Sequence, residues 1–192
     1  ILDDDAPNLT ITDVNSNEGN SGITSFTFTV NLSAPAGPSG VSFDIATANG
    51  TATAGSDYVA NALTSQIIPA GSNTYSFNVQ VNGETLNESD ETFNVNITNL
   101  SNANPTDTQG LGTITNDDPL PSLTINDVSV TEGNVGTTNA AFTVALSPAS
   151  GQTVTVSYAT ANGTATQPAD YASNSGTLTF APGQTTRPVT VQ

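Results

Sequence analysis

Apolar and polar residues alternate in short segments along the first 118 residues, and clusters of Gly, Pro, Asn and Ser separate these segments. Alternation with a period of two is typical of β-strands that bury one face. The pattern therefore predicts seven strands, which we label A to G. They are A near 9–14, B with Phe26, Phe28, Val30 and Leu32 inward, C with Val41, Phe43 and Ile45 inward, D near 63–68, E with Tyr75, Phe77, Val79 and Val81 inward, F with Phe93, Val95 and Ile97 inward, and G near 111–116.

Seven short strands within about 110 residues predict an all-β fold, an immunoglobulin-like antiparallel sandwich. The composition agrees, because Thr, Ser, Asn and Val are abundant and the chain contains 16 Gly, 11 Pro and no Trp. Residues of these types favour strands and turns over helices.

The pattern occurs twice in the chain. The octet Ala-Thr-Ala-Asn-Gly-Thr-Ala-Thr stands at 46–53 and again at 159–166, and Asp-Tyr follows at 57–58 and 170–171. A repeat distance of 113 residues exceeds that of solenoid units, so each repeat should be a domain with its own core. We therefore expect tandem sandwiches: residues 1–5 end a preceding repeat, 6–118 form repeat 1, and 119–192 form repeat 2.

Repeat 2 is expected to be incomplete. Its sequence stops at the counterpart of strand E, so that its last two strands, F and G, are missing, while residues 1–5 match the segment 114–118. A sandwich that lacks two strands exposes its core and a sheet edge. Two interpretations remain open: the chain is a window cut from a longer array, or it is the subunit of a polymer in which a neighbouring subunit completes repeat 2 by strand addition.

The net charge of the chain limits the kinds of molecule that it can bind. Seventeen Asp and Glu residues face a single basic residue, Arg187, and the formal net charge is −16. Such a chain repels nucleic acid and anionic membrane surfaces, and cations are its natural ligands. The chain has no Cys and no His, and no apolar run approaches the length of a membrane span. We expect no nucleic-acid partner and no membrane insertion.

The acidic residues of repeat 1 collect at one end of the predicted sandwich. Because successive strands reverse direction, the A–B, C–D and E–F loops and the residues after strand G meet at the same end, here called the acidic pole. Asp107 is the one acid in the loops of the opposite end. Turn formation alone accounts for single acids such as Asp44, Asp90 and Asp107. The acids of the pole are Glu18, Asp57, Glu84, Glu88, Asp90, Glu91, Asp117 and Asp118.

A cluster of this kind predicts a bound cation. Neighbouring carboxylates repel each other by on the order of 1 kcal/mol per pair in water, and by more when they are partly desolvated. Ca²⁺ takes six to eight oxygen ligands in tolerant geometry, whereas Zn²⁺, Cu²⁺ and Ni²⁺ prefer His or Cys, which the chain lacks. Mg²⁺ demands tighter octahedral geometry. Calcium fits the sequence best.

Four motifs, in the order in which they follow one another along the chain, resemble those of the Calx-beta domain family. They are the Glu-Gly-Asn loop at 18–20, Gly-Thr-Ala-Thr-Ala-Gly-Ser-Asp-Tyr at 50–58, Glu-Ser-Asp-Glu-Thr-Phe at 88–93 and Ile-Thr-Asn-Asp-Asp at 114–118. The family is known from sodium–calcium exchangers, an integrin β subunit and bacterial surface proteins. The resemblance covers nearly the whole chain. It implies an immunoglobulin-like sandwich that, in its best-known members, binds Ca²⁺ at the pole near its C-terminal end.

The resemblance also implies a set of metal ligands. This chain departs from the family's pattern at Asn82-Gly83-Glu84 and Asn116-Asp117-Asp118, where strongly binding members have more carboxylates, and fewer carboxylates lower the ion number or the affinity. The implied ligands in repeat 1 are Glu18, Asp57, Glu84, Glu88, Glu91, Asp117 and Asp118. Repeat 2 has a partial site with Glu132 and Asp170, and the end of the preceding repeat contributes Asp3, Asp4 and Asp5.

These observations predict a non-catalytic, secreted module: a calcium-stiffened tandem-repeat rod or surface-filament segment with an adhesive role at the cell surface. Its partners would be calcium ions and neighbouring repeats or subunits of the same protein. Two alternatives are a metal-independent spacer, whose acids serve solubility, and the polymer described above. An enzyme is disfavoured, because without His, Cys or Lys it would need a carboxylate pair in a sugar cleft, and nothing indicates such a cleft.

Overall fold

The computed structural model describes residues 6–192. The predicted end of a preceding repeat, including Asp3, Asp4 and Asp5, lies outside this range. The described residues form fifteen strands, and none of them forms a helix long and apolar enough to cross a membrane. The chain divides into two compact units. The first runs to Thr85 and continues from Ser89 to Asp117, and the second comprises Leu86–Glu88 and Asp118–Gln192.

The first unit consists of two five-stranded sheets. One sheet has the order β5-β7-β3-β1-β9, and the other has the order β2-β10-β8-β4-β6. The strands are β1 (Asn8–Ile11), β2 (Val14–Asn17), β3 (Gly22–Leu32), β4 (Val41–Asn49), β5 (Tyr58–Val59), β6 (Ala62–Ile68), β7 (Thr74–Gly83), β8 (Glu91–Ser101), β9 (Asn104–Pro105) and β10 (Gln109–Thr115).

The core of the first unit lies between these two sheets. The residues predicted to face inward on strands B, C, E and F are buried, except that Tyr75 is half-buried against the core. Phe93 of β8 lies at the centre, where its ring stacks on Tyr58 at a centroid distance of 4.6 Å and contacts Phe28 at 5.8 Å. Gly112 of β10 lies beside this ring, and a Cβ at that position would overlap it. The predicted β-sandwich is confirmed.

The segment predicted as strand A divides between the two sheets. β1 pairs with β3, and β2 pairs with β10, so the chain crosses from one sheet to the other at Thr12 and Asp13. The Asp13 carboxylate accepts a hydrogen bond of 2.7 Å from the Leu111 N–H, which fixes the crossing. Two of the pairings, β1 with β9 and β2 with β10, are parallel, so the sandwich is antiparallel except at these edges.

Asp44 joins two irregularities of the sheet around β4. The registers of β4 with β6 and with β8 both shift next to Asp44. Its carboxylate accepts hydrogen bonds from the Ser65 N–H at 2.7 Å and the Asn99 side-chain amide at 2.6 Å, and both donors have positive φ. The Asn99 amide first, and then the Ser65 N–H, hold the pKa of Asp44 below its ordinary value. Asp44 is therefore a bulge-stabilising residue on a strand.

The second unit has two smaller sheets, whose strands are arranged like β1, β3 and β7 in one sheet of the first unit and like β4 and β6 in the other. One sheet has the order β11-β12-β15 and the other consists of β13 and β14. The strands are β11 (Ser122–Ile125), β12 (Ala140–Ser147), β13 (Val154–Ala159), β14 (Ser175–Phe180) and β15 (Thr186–Val191). Its core is small, with Val144, Leu146, Phe180 and Val189 buried. Ile125 is 60% exposed, whereas its counterpart Ile11 in the first unit is 4% exposed. The second unit thus leaves apolar surface uncovered.

Candidate metal centre

Three of the predicted ligands come together in the structure. Glu18, Glu84 and Asp118 each offer a carboxylate oxygen, and these oxygens all lie within 4.8 Å of one another. Glu18 and Asp118 are buried, and Glu84 is half-buried. They come from the loop after β2, the end of β7 and the segment after β10, as expected for the acidic pole. We call these three residues the carboxylate cluster.

The loop that carries Glu18 is held by local geometry. Gly19 and Gly22 have φ values of +82° and +76°, a conformation that glycine adopts without strain. The Thr24 hydroxyl donates a hydrogen bond of 2.6 Å to the Glu18 carbonyl and closes the loop. Gly83 lets this loop approach β7 closely, because a Cβ there would overlap the Gly19 carbonyl oxygen. The close approach brings Glu18 to the residue that follows Gly83, Glu84.

Backbone contacts place the two terminal acids. The Gly19 N–H donates a hydrogen bond of 3.3 Å to the Asp117 carboxylate, which ties the segment after β10 to the Glu18 loop. The buried Asn87 side-chain amide donates a hydrogen bond of 3.0 Å to the Asp118 carbonyl. Sequence reasoning missed Asn87 as a positioning residue, since an Asn between two acids of a loop gives no distinctive signal.

The donor set of the cluster fits a hard divalent cation. All three side chains offer carboxylate oxygens, which Ca²⁺ prefers, and none offers nitrogen or sulfur. The single basic side chain of the sequence, Arg187 on β15, donates a hydrogen bond of 2.6 Å to the Thr179 carbonyl on β14, in the other sheet of its own unit. The donor set of the cluster itself therefore contains no positively charged side chain.

The other predicted ligands of repeat 1 lie outside this group of oxygens. The Asp57 carboxylate accepts a hydrogen bond of 2.6 Å from the Thr53 N–H within its own loop. Glu88 and Glu91 are half-buried, and Asp117 is exposed. Their role as ligands stays a prediction. Asp90, which we also placed at the acidic pole, accepts a hydrogen bond of 3.0 Å from the Asn116 N–H.

The duplicated octet forms the same small scaffold in both units. The Asn49 side-chain carbonyl accepts hydrogen bonds from the Ala54 N–H at 2.9 Å and the Tyr58 hydroxyl at 2.6 Å. In the second unit, Asn162 accepts the equivalent bonds from the Gln167 N–H at 3.0 Å and the Tyr171 hydroxyl at 2.7 Å. We call this arrangement the asparagine hook. The sequence predicted a turn at Asn49, and the bond to Tyr58 shows that it also anchors the loop to the core.

Burial of Tyr58 favours the protonated hydroxyl that the asparagine hook requires. Burial raises the pKa of the Tyr58 hydroxyl above its ordinary value, so the group keeps its proton and donates to Asn49. The hook holds the loop that ends at Asp57. It therefore sets the position of one predicted ligand relative to the core.

The two predicted ligands of repeat 2 line one cleft. Glu132 and Asp170 both border a cleft of about 480 Å³ in the second unit, and both are exposed. Their local geometry repeats that of the first unit: the Thr138 hydroxyl donates to the Glu132 carbonyl at 3.1 Å, and the Thr166 N–H donates to the Asp170 carboxylate at 2.8 Å. Within residues 6–192, the carboxylate cluster has no counterpart in this unit.

Comparisons with known proteins point to one family. The Calx-beta domain matches residues 3–119 and 115–192. The crystal structure of CBD12 from CALX1.2 is 24% identical, has a TM-score of 0.50 and covers 96% of this chain and 75% of that chain. The crystal structure of calcium binding domain CBD12 of CALX1.1 is 21% identical, with a TM-score of 0.47 and coverages of 95% and 74%. The apo-form Calx CBD1 domain is 21% identical, with a TM-score of 0.49 and coverages of 59% and 100%. No curated protein matches the sequence.

Proposed function

Because this chain belongs to the Calx-beta family, with two matching segments in tandem, we propose that it is a calcium-binding, non-catalytic structural module of the cell surface. The carboxylate cluster of Glu18, Glu84 and Asp118 would hold the ion, and Asp117, at the adjacent position, would add a further oxygen. The observation that carries this proposal is the approach of three carboxylates from three separate segments to within 4.8 Å of one another.

Charge supports calcium as a stabilising ligand. Three ionised carboxylates at this spacing repel one another. A divalent cation replaces this repulsion by attraction and joins the loop after β2, the end of β7 and the segment after β10. Binding to the folded chain then adds to its stability by linkage.

The number of carboxylates supports a location outside the cell. Calcium affinity falls as fewer charged ligands surround the ion, and extracellular modules bind with dissociation constants of about 10⁻⁴ to 10⁻³ M. A centre built on three clustered carboxylates suits that range. We therefore place the protein among secreted or surface-attached chains, in which tandem repeats space or present an adhesive region or build a filament.

Thermal unfolding and calorimetric titration test the proposal together. Scans of the 192-residue chain in EDTA, in millimolar Ca²⁺ and in millimolar Mg²⁺ should show the highest melting temperature in Ca²⁺. A titration with CaCl₂ after chelation should give saturable heat. Asp118→Asn should weaken this binding, whereas Asp107→Asn, which removes an exposed acid of the opposite end, should leave it unchanged. Equal melting temperatures in EDTA and Ca²⁺, with no heat of binding, would refute calcium binding.

A metal-independent spacer is the second candidate function. The observation that favours it is the exposure of Glu132 and Asp170, which lie in the same cleft without joining a carboxylate cluster. Exposed acids raise solubility by keeping copies of a chain apart. A spacer of this kind would bind calcium nowhere and would still resist aggregation in EDTA. Light scattering at high protein concentration, with and without calcium, separates the two candidates.

A further inference from the structure

The peptide bond between Asp118 and Pro119 differs chemically from every other bond of the chain. The sequence contains a single Asp-Pro pair, and both of its residues belong to the second unit. The bond before a proline is a tertiary amide, whose nitrogen is more basic than that of other peptide bonds and leaves more readily once it takes a proton. The Asp side chain also holds its carboxylate one five-membered ring away from the carbonyl carbon of this bond. A nucleophile attached in this way acts at a high effective concentration.

The two sides of this bond have different surroundings. Asp118 is 7% exposed, whereas Pro119 is exposed. The side-chain amide of Asn87, which is also buried, donates a hydrogen bond of 3.0 Å to the Asp118 carbonyl oxygen. This oxygen is the carbonyl oxygen of the Asp118–Pro119 bond. The carbonyl group is therefore held and polarised inside the protein, while the proline ring is in contact with water.

Asn87 is a fixed hydrogen-bond donor. Its own carbonyl oxygen accepts hydrogen bonds from the Gly151 N–H at 3.2 Å and from the Ser150 hydroxyl at 3.3 Å, and it forms an isolated β-bridge with Ser150. Ser150 is 2% exposed, so this anchor is buried as well. A donor that is already in place stabilises negative charge on an oxygen at about 2.7–3.1 Å without having to be reoriented. Asn87 meets this condition at the Asp118 carbonyl.

We propose that the Asp118–Pro119 bond is a self-cleavage site, at which the Asp118 carboxylate is the nucleophile and the Asn87 amide stabilises the negative charge that develops on the carbonyl oxygen. A carboxylate oxygen attacks the Asp118 carbonyl carbon and forms a cyclic anhydride. The bond from this carbon to the Pro119 nitrogen breaks, and the nitrogen takes a proton from water. Water then opens the anhydride, which leaves Asp118 with a free α-carboxylate and a restored side chain. The net reaction consumes one water molecule and needs no other co-reactant.

The position of the bond makes the cut compatible with both units. β10 ends at Thr115 and β11 begins at Ser122, so cleavage between Asp118 and Pro119 interrupts no strand. The products are residues 1–118 and residues 119–192, the second with Pro119 as a new amino terminus. In a tandem array, this reaction would separate one repeat covalently from the next.

Mass spectrometry of the purified 192-residue chain tests the proposal. The chain is incubated in EDTA at one fixed pH, in parallel folded and in urea, and is analysed under denaturing conditions. Two fragments should appear, 1–118 and 119–192, and their masses should sum to that of the parent chain plus one water. The folded chain should release them at least about 10-fold faster than the chain in urea, because only the folded chain places the Asn87 amide on the carbonyl. Hydroxylamine should trap the anhydride as a hydroxamate at Asp118.

Three variants assign the roles. Pro119→Ala keeps the carboxylate, replaces the tertiary amide at an exposed position, and should abolish cleavage. Asn87→Leu removes the donor and should reduce the rate in the folded chain to the rate in urea. Asn61→Leu is the matched control, because it removes an amide that also donates a hydrogen bond of 3.0 Å to a backbone carbonyl, that of Asn78, and should leave the rate unchanged. Melting temperatures show which variants are folded.

Four results would overturn the proposal. The first is equal cleavage rates in the folded chain and in urea, and the second is an unchanged rate in folded Asn87→Leu. The third is cleavage that persists in Pro119→Ala, which would indicate a contaminating protease. The fourth is the absence of a hydroxamate at Asp118. If Asn87→Leu does not fold, the other three results still decide. The reaction uses no bound ion, so a failure of calcium binding leaves these tests intact.

Discussion

Replacement of Glu84 by Gln tests whether the carboxylate cluster is a calcium site. The substitution keeps the shape of the side chain and removes one of three charges. Carboxylate oxygens within 4.8 Å of one another repel by about 0.9 kcal/mol per pair at the dielectric constant of water, and by about 3.5 kcal/mol at an effective value of 20. Glu84 takes part in two of the three pairs and is half-buried, so the low end of this range applies.

The variant should therefore be more stable than the parent chain when calcium is absent. Two pairs at the water value amount to about 2 kcal/mol, which corresponds to an increase of about 4–8 °C in melting temperature for a chain of this size. In calcium the parent gains about 2.7 kcal/mol when the ion is at 100 times its dissociation constant. The variant should gain less than half of that, because it has lost a charged ligand.

The assay is differential scanning calorimetry of both chains in EDTA and over a calcium series at low salt. Asp107→Asn is the matched control, since it also removes one negative charge but lies exposed, with its Oδ1 accepting only the Gln109 N–H at 3.3 Å. The reasoning fails if Glu84→Gln lowers the melting temperature in EDTA, or if it leaves the calcium-induced increase at its full size.

Three further predictions concern the first unit. Phe93→Ala should lower its free energy of unfolding by about 3–5 kcal/mol because the ring is fully buried, and Phe93→Leu should cost less; equal urea midpoints would refute this. The Asn99 amide lowers the pKa of Asp44, so the ionised carboxylate stabilises the folded state above the unfolded-state pKa, and this stabilisation is lost as pH falls through the folded-state pKa. In urea unfolding between about pH 2 and 6, the free energy of unfolding of Asp44→Asn should therefore fall less steeply with decreasing pH than that of the parent chain. Gly83→Ala should weaken calcium binding in titration calorimetry, because its Cβ would overlap the Gly19 carbonyl and displace the Glu18 loop; unchanged affinity would contradict this role.

The sequence predicted the parts of the fold that depend on local alternation. Phe26, Phe28 and Phe93 are buried as expected, because a period of two leaves each strand only one apolar face. The division of strand A and the two register shifts at Asp44 could not be predicted from the sequence. They depend on hydrogen bonds between residues far apart in sequence, such as Asp13 with Leu111 and Asp44 with Asn99, which no local pattern encodes.

The sequence predicted at which end of the sandwich the candidate site lies, namely the acidic pole. Reversal of successive strands sorted the loops, and Glu18, Glu84 and Asp118 all belong to the predicted set. Which oxygens approach one another depends on finer geometry, such as the absence of a Cβ at Gly83. A sequence pattern gives the order of the loops but no distances of a few ångströms. The predicted ligand set therefore included Asp57 together with the clustered acids, although the Asp57 carboxylate accepts a hydrogen bond from the Thr53 N–H.

The asparagine hook has a consequence for how an array of these repeats is made. Its bonds join residues five and nine positions apart, so it can close while the strands beyond it are still emerging from the ribosome. Closure of a loop of this length takes about 10–100 ns, far less than the time needed to add one residue. Each repeat can therefore shape the loop before Asp57 or Asp170 during synthesis, and this early order lowers the chance that strands of neighbouring repeats of similar pattern pair with the wrong partner.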